Sequence, residues 1–275
     1  MKKQWIVSKE NHQSRIDDFA YQHHISKKAL KDIKMKGDIL VDGIHQTVRY
    51  LLKEGEVITF IYPPEENNII PENIPLRIIY EDDYLCVIYK PKDMACIPTR
   101  GHPSHTLANA LSYYYQTIGL SSTIHLVNRL DRETAGLMIV AKYRDIHDRM
   151  CQNIQHIYRR YQSHVVGELD RGVIDLPIYR QEREMRRVID DKGKPSCTHY
   201  RCLYTNGNIS FVEYILKTGR THQIRVHMSS IGHPLVGDSL YGDGKGTFDL
   251  ESMMVAFVHP VSGQIITIRK RGTRQ

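Results

Sequence analysis

Residues 127–142 read VNRLDRETAGLMIVAK. The first half sets one carboxylate, Asp131, between Arg129 and Arg132; the second half is an apolar run opened by Gly136 and closed at Lys142. An unbroken apolar run bounded by a glycine and a charge reads as a strand buried on both faces. Asp131 then lies on a loop at the end of a sheet, where reacting groups are commonly held. Neighbouring guanidiniums favour an ionised carboxylate, which can act as nucleophile or base or hold a metal. A salt bridge that only pins the loop is the plainer alternative.

On the N-terminal side, residues 84–89 (YLCVIY) form a second buried run, stopped by Lys90 and Pro91. Residues 106–118 predict a helix and residues 146–154 an amphipathic one. Residues 158–167, 198–204 and 210–217 predict strands, the last two joined by Asn206-Gly207-Asn208, a strong hairpin signal. A final pair, 254–259 and 264–269, turns through Val261-Ser262-Gly263. Hairpins outnumber strand–helix alternations, so the fold class expected is α+β on a mainly antiparallel mixed sheet.

Residues 63–76, PPEENNIIPENIPL, hold four prolines and three glutamates, which is linker composition. They divide the chain into a small unit, 1–62, and a larger domain, 77–275. In the small unit, residues 15–23 predict a helix with Ile16, Phe19 and Ala20 inward. Ser26 is a candidate N-cap for a second helix, KKALKDIKMK, ended by Gly37. Lys27, Lys31 and Lys34 recur at i, i+4 and i+7 along one side of it, while Leu30 and Ile33 point inward. Strands are expected at 38–43 and 56–60. The lysine row reads as a solvated face or as a contact for polyanions.

The 275 residues carry 38 Lys and Arg against 31 Asp and Glu, a formal charge of +7 that favours polyanionic partners such as RNA. Five cysteines, odd in number and without a CxxC pair, predict reduced thiols rather than a disulfide frame. The spacing Cys197-Thr-His-Tyr-Arg-Cys202 fits no zinc pattern. The opening MKKQWIVSKENHQ fits no secretory leader, and no apolar run reaches membrane-spanning length. A soluble cytoplasmic protein with no membrane partner is the expectation.

A second constellation is TGRTHQIRVH at 218–227, followed by GHPLVGD at 232–238. Arg220, His222, Gln223, Arg225 and His227 crowd into eight residues, a density of donors suited to phosphates, base edges or a buried acid. A helix from Thr221 would put Ile224 and Met228 on one face and set His222 and Arg225 one turn apart. No carboxylate completes a metal set with the histidines. Neither a Walker loop nor GxGxxG nor GxSxG occurs, which takes support from nucleotide-driven, redox and serine-hydrolase chemistry.

Together these residues resemble the RluA-like pseudouridine synthases. RLDRETAGLMIVAK resembles the family's catalytic signature. The likeness extends to Glu81-Asp-Asp, to VIYKP at 87–91, to RRYxxxVVG at 159–167, to TGRTHQIRVH with GHPLVGD, and to FVHP at 257–260. The small unit, with RIDDF, SKKALKDIK and GDILVDG, is similar to an RNA-binding module known from a small-subunit ribosomal protein.

The resemblance implies isomerisation of uridine to pseudouridine within RNA, most often large-subunit ribosomal RNA with transfer RNA as the alternative, by a monomer without cofactor or metal. By motif position, Asp131 matches the catalytic aspartate and Tyr161 the tyrosine against the base. Arg225 matches the basic residue that pairs with the aspartate, and Arg129 the arginine that displaces the target uridine. Arg132, Arg220, His222, Gln223 and the lysine row are the remaining candidate RNA contacts. The sequence departs from the family pattern at Asn128, Arg159 and Tyr89, where histidine, lysine and asparagine are usual. An RNA-binding protein whose activity has lapsed, and a glycosidase or nuclease using Asp131 with a second acid, are the competing readings.

Overall fold

The computed structural model describes residues 2–23, 25–182 and 184–270. The small unit is a four-stranded antiparallel sheet against two helices. Its elements run β1 (Lys2–Ile6), α1 (Ile16–Gln22), α2 (Lys27–Lys36), β2 (Asp38–Val41), β3 (Ile44–His45) and β4 (Val57–Ile61), with strand order β1-β4-β2-β3. Ser26 caps α2 by accepting the Ala29 amide, and Leu30 and Ile33 join Ile16, Phe19, Ile58 and Phe60 in the unit's own core. Lys27, Lys31 and Lys34 are all exposed, as the helical spacing predicts.

Residues 62–76 carry no helix or strand, but they do not hang free as their linker composition suggests. They lie along α3 (Leu107–Thr117). Asn67 Nδ2 donates to Ser112 Oγ, and the carbonyls of Ile69 and Ile70 accept from Ser112 and Asn109. Glu65 meets His125 Nε2 at 2.6 Å. Polar side chains of the helix thus satisfy a strap whose prolines leave it few backbone partners.

The larger domain is a ten-stranded sheet. Its first elements are β5 (Arg77–Glu81), β6 (Leu85–Lys90), β7 (His125–Leu126), β8 (Ala135–Ala141), α4 (Arg144–Gln152) and β9 (Tyr158–Val166). They are followed by β10 (Arg171–Asp175), a short hairpin of β11 (Ile178–Arg180) and β12 (Arg187–Ile189), β13 (Cys197–Asn206), β14 (Ile209–Leu216), α5 (Gln223–Ser230), β15 (Glu251–Val258) and β16 (Ile265–Arg269). The order is β10-β13-β14-β9-β15-β8-β6-β5, with β16 beside β15 and β7 beside β8. Among the described pairings only β15 with β8 is parallel, so the sheet is mixed but mainly antiparallel, the α+β class expected from the hairpins.

The two apolar runs read as buried strands are adjacent at the centre. Alternate residues of β6 and β8 feed opposite cores. Cys86, Ile88, Met138 and Val140 pack with α3 and α5, and Leu85, Val87, Leu137 and Ile139 pack with Ile146 and Met150 of α4. Covering on both faces is why these strands are apolar without alternation.

Gly136 sits where the sheet changes direction, at φ 120° in register with Ser252 of β15. A Cβ there would stand 2.4 Å from the Ser252 carbonyl oxygen and 2.5 Å from its nitrogen, so only glycine permits the approach. The close approach keeps the Asp131 loop at the mouth of the sheet, next to β9 and β15.

The units touch through an ion pair between Lys3 and Asp145, through Arg144 and Asp32 at 3.8 Å, and through Arg149, which donates to the His23 carbonyl.

Candidate active site

A cleft of about 940 Å³ opens where the 126–134 loop, the start of β9 and the β14–α5 connection converge. It gathers Asp131, Tyr161, Arg225, Arg129, Arg132, Arg220, His222 and Gln223, all the candidates from the larger domain. Lys27, Lys31 and Lys34 do not line it; they stay on the outer face of α2.

Hydrogen bonds to consecutive main-chain carbonyls fix the loop bearing Asp131. Leu130 accepts from the Cys96 thiol at 3.0 Å, Asp131 from the Thr134 amide at 3.1 Å, and Arg132 from Lys90 Nζ at 3.0 Å. Asn128, where the family often has histidine, accepts the Ile139 amide at 2.8 Å and so pins the loop to β8. The Asp131 side chain is 28 % exposed, open to the cleft. Arg129 and Arg132 are exposed at the rim.

Tyr161 projects from β9, 5 % exposed. Burial, with Asp131 nearby, pushes its hydroxyl above the ordinary range, so it stays protonated at neutral pH. Arg159, two residues before it, is 4 % exposed and lies against Gly219, where an added Cβ would stand 2.7 Å from Nη1. Burial lowers its pKa, countered by Tyr161. Tyr89, the third departure from the family pattern, donates to Glu251 Oε1 at 2.6 Å, a contact between the end of β6 and the start of β15 outside the cleft.

Expectations for the 218–227 segment need correction. The helix begins at Gln223, not Thr221, and His222 precedes it in the left-handed region at φ 58°. His222 and Arg225 are therefore not stacked one helical turn apart. The cause is Gln223. Its Oε1 accepts from the Arg220 amide and the Thr218 hydroxyl, while Nε2 donates to the Cys197 carbonyl and Thr198 Oγ1. Those bonds fold the turn and consume the whole amide, and Gln223 is 3 % exposed, so it is a strut of the site and not an RNA contact.

The expected pairing of Arg225 with Asp131 also differs. Arg225 sends both arms of its fork to Asp238, Nε to Oδ2 and Nη2 to Oδ1, each at 2.7 Å. Nη1 lies 3.3 Å from Glu133, and Asp131 acts on it only through space. The rings of Tyr241 and Phe248 flank the guanidinium at 5.4 and 5.0 Å. Burial opposes the charge, but the hydrogen bonds and charge of Asp238 prevail and raise its pKa.

His222 faces Asp131, with Nε2 3.9 Å from Oδ2 and Nδ1 held 2.9 Å from the Tyr241 hydroxyl. Burial, aided by the charges of Arg225 and Arg187 and opposed by Asp131, lowers its pKa and favours the neutral ring. Asp238, Tyr241, Lys90, Cys96, Arg180 and Arg187 complete the site, and the sequence alone gave them no role. Asp238 stands in the GHPLVGD motif and Lys90 at the end of a buried run, signals that mark the positions without assigning a role; nothing in the spacing marks Tyr241 or the β11–β12 arginines.

The cleft can therefore present an acid on a fixed loop, a buried protonated phenol and a rim of guanidiniums to a polyanion. Comparison with known proteins agrees. Residues 84–230 match the family described as RNA pseudouridylate synthase. The chain is 40% identical over 258 residues to the RNA pseudouridine synthase YjbO of Bacillus subtilis, covering 90% of this chain and 91% of that one. It is 36% identical over 249 residues to ribosomal large subunit pseudouridine synthase D of Haemophilus influenzae, covering 82% and 77%. Its fold matches the solved human RNA pseudouridylate synthase domain containing 1 with a TM-score of 0.58 at 25% identity, over 73% of this chain and 85% of that one. From its central sheet to its cleft, the chain belongs to the RNA pseudouridine synthases.

Proposed function

We propose that this RNA pseudouridine synthase acts on uridine in large-subunit ribosomal RNA, with Asp131 as the catalytic residue and the target nucleotide turned out of its stack into the cleft. The observation that carries the reading is Asp131 itself, open to solvent on a loop whose main chain is held at Leu130, Asp131 and Arg132. Relatives named as large-subunit ribosomal synthases support the choice of RNA.

In the reaction the N1–C1′ bond breaks, the uracil turns over in place, and C5 bonds to C1′. The proton on C5 is released and N1 takes one up, so composition and oxidation state are unchanged. Asp131 meets the ribose–base unit as the glycosidic bond breaks. Tyr161, whose hydroxyl stays protonated, packs against the base and supplies a donor. A stacked nucleotide hides its glycosidic bond, and extrusion costs a few kcal/mol that pocket contacts return. Arg129, exposed at the rim two residues before Asp131, is placed to occupy the vacated position.

The deciding experiment uses Asp131→Asn on RNA from cells deleted for the gene. Pseudouridine formation should disappear while RNA affinity is retained. Turnover in that variant would remove Asp131 from the chemistry. Mapping pseudouridines in the ribosomal RNA of deleted and parent cells identifies the position modified; no difference there would overturn the choice of RNA.

A further inference from the structure

Inside the cleft, Tyr241 decides which nitrogen of His222 carries hydrogen. Its buried hydroxyl accepts the Arg187 amide at 2.6 Å and lies 2.9 Å from His222 Nδ1, with the two rings edge to face at 78°. With the amide on its acceptor side, the hydroxyl turns its own proton to Nδ1. Burial raises the phenol's pKa, so that proton is kept at neutral pH. Nδ1 is therefore the acceptor, and the neutral ring carries its hydrogen on Nε2. Nε2 faces Asp131 Oδ2 across 3.9 Å. The backbone of His222 sits at φ 58°, uncommon for a residue other than glycine, in the turn that Gln223 folds through the Arg220 amide and the Thr218 hydroxyl. The ring is thus fixed at its backbone and at Nδ1, and its one N–H donor is aimed beside the acid.

We propose that His222 and Asp131 form a clamp for the 2′-hydroxyl of the target nucleotide, Nε2–H donating to the 2′-oxygen and the hydroxyl donating in turn to the Asp131 carboxylate. The inference rests on Asp131 meeting the ribose, as proposed above. At 3.9 Å the nitrogen and oxygen are too far apart to bond each other, and one bridging oxygen about 2.8 Å from each fits between them. The bridging atom must accept from an N–H and donate to a carboxylate. A hydroxyl does both, whereas uracil divides its acceptors and its N3–H donor among separate atoms, and a phosphate diester only accepts. Within a chain the 3′ and 5′ oxygens are esterified, so the 2′-hydroxyl is the one free hydroxyl of the sugar. It stands on the carbon next to C1′, where the glycosidic bond breaks. The same group tells RNA from DNA. The clamp therefore selects ribose at the reacting nucleotide itself, and not only RNA around it.

The test uses a synthetic stem-loop containing the uridine identified by mapping, made with that nucleotide alone as uridine or as 2′-deoxyuridine. Single-turnover rates are read by nucleoside chromatography after digestion. Loss of the hydroxyl also alters the glycosidic bond, but equally for every form of the enzyme, so comparing ribo-to-deoxy rate ratios between variants isolates the clamp. His222→Ala should be slower on the ribo substrate by about 30-fold and lose about that factor from its ribo-to-deoxy ratio. His222→Gln, whose amide N–H can reach the place of Nε2, should regain part of both. A merely structural role would slow the two substrates alike. The proposal is overturned if the ratio for His222→Ala stays within about threefold of wild type. Should that variant fail to fold, Tyr241→Phe decides by the same ratio, since it keeps the ring and removes the hydroxyl that fixes the hydrogen on Nε2. Asp131→Asn on the ribo substrate separates the two readings. Persistent turnover there ends the assignment of Asp131, whereas lost turnover there with an unchanged His222→Ala ratio removes the clamp alone.

Discussion

Arg225 and Asp238 form a closed pair, two N–H donors to two carboxylate oxygens at 2.7 Å, with side chains 3 % and 0 % exposed. The Leu240 and Tyr241 amides also donate to Asp238 Oδ1, at 2.9 and 3.0 Å. This geometry divides the electrostatic work of the site. Asp238 fixes the guanidinium, and Asp131 acts on that charge through space without a hydrogen bond to it.

Asp238→Asn tests that division. Breaking a buried pair by removing one charge costs about 3–5 kcal/mol, and asparagine keeps one acceptor, so a loss of about 3 kcal/mol at pH 7 is expected. Burial opposes ionisation of Asp238, but the hydrogen bonds and charge of Arg225 hold its pKa below the ordinary 3.8. A depressed folded-state pKa gives stability that is complete above the unfolded value and lost as pH falls through the folded one. The gap between wild type and variant in urea unfolding should therefore be constant at neutral pH and close below about pH 4. A gap that persists into acid would show that packing, not charge, carries the effect.

What the sequence disclosed divides along physical lines. The strands at 84–89 and 136–141 were evident because burial on both faces removes every polar residue from them. The lysine row was evident because helical spacing sorts Leu30 and Ile33 from Lys27, Lys31 and Lys34. Asp131 was picked out by its flanking charges. The partner of Arg225 was not, because the segment from 225 to 238 offered no periodicity that would fold the GHPLVGD loop back onto α5. The helix start was misplaced by two residues because the bonding of Gln223 outweighs local propensity. The strap at 62–76 was hidden for the same reason: its partners are polar side chains on a helix more than thirty residues away.

Gly136→Ala should couple stability to turnover. The new Cβ would meet Ser252 backbone atoms at 2.4, 2.5 and 2.8 Å, and alanine at φ 120° is strained on its own account. Backbone strain of that kind costs about 1–3 kcal/mol, and separating the strands adds to it, so a loss of about 3 kcal/mol or more is expected in urea unfolding. Gly136 is also the register partner of Lys90, and Ser252 that of Tyr161. Parting β8 from β15 therefore moves the loop anchor and the phenol relative to each other. The folded variant should lose turnover as well as stability; full turnover would mean that the sheet junction does not position the site.

Replacing Lys27, Lys31 and Lys34 together by alanine tests whether the small unit binds RNA. All three are exposed and, among the described residues, none forms an ion pair, while Leu30 and Ile33 hold α2 from its other side. Stability should thus change little, since exposed substitutions of this kind stay within about 0.5 kcal/mol. RNA affinity behaves differently: each phosphate left without its lysine takes about 0.7–0.9 off the slope of log K against log salt, depending on whether the RNA is single- or double-stranded. The triple variant should bind more weakly at low salt and with a flatter salt dependence, and turnover at saturating RNA should be unchanged because none of these lysines lines the cleft. An unaltered salt slope would make the row an ordinary solvated helix face and leave RNA capture to the arginines around Asp131.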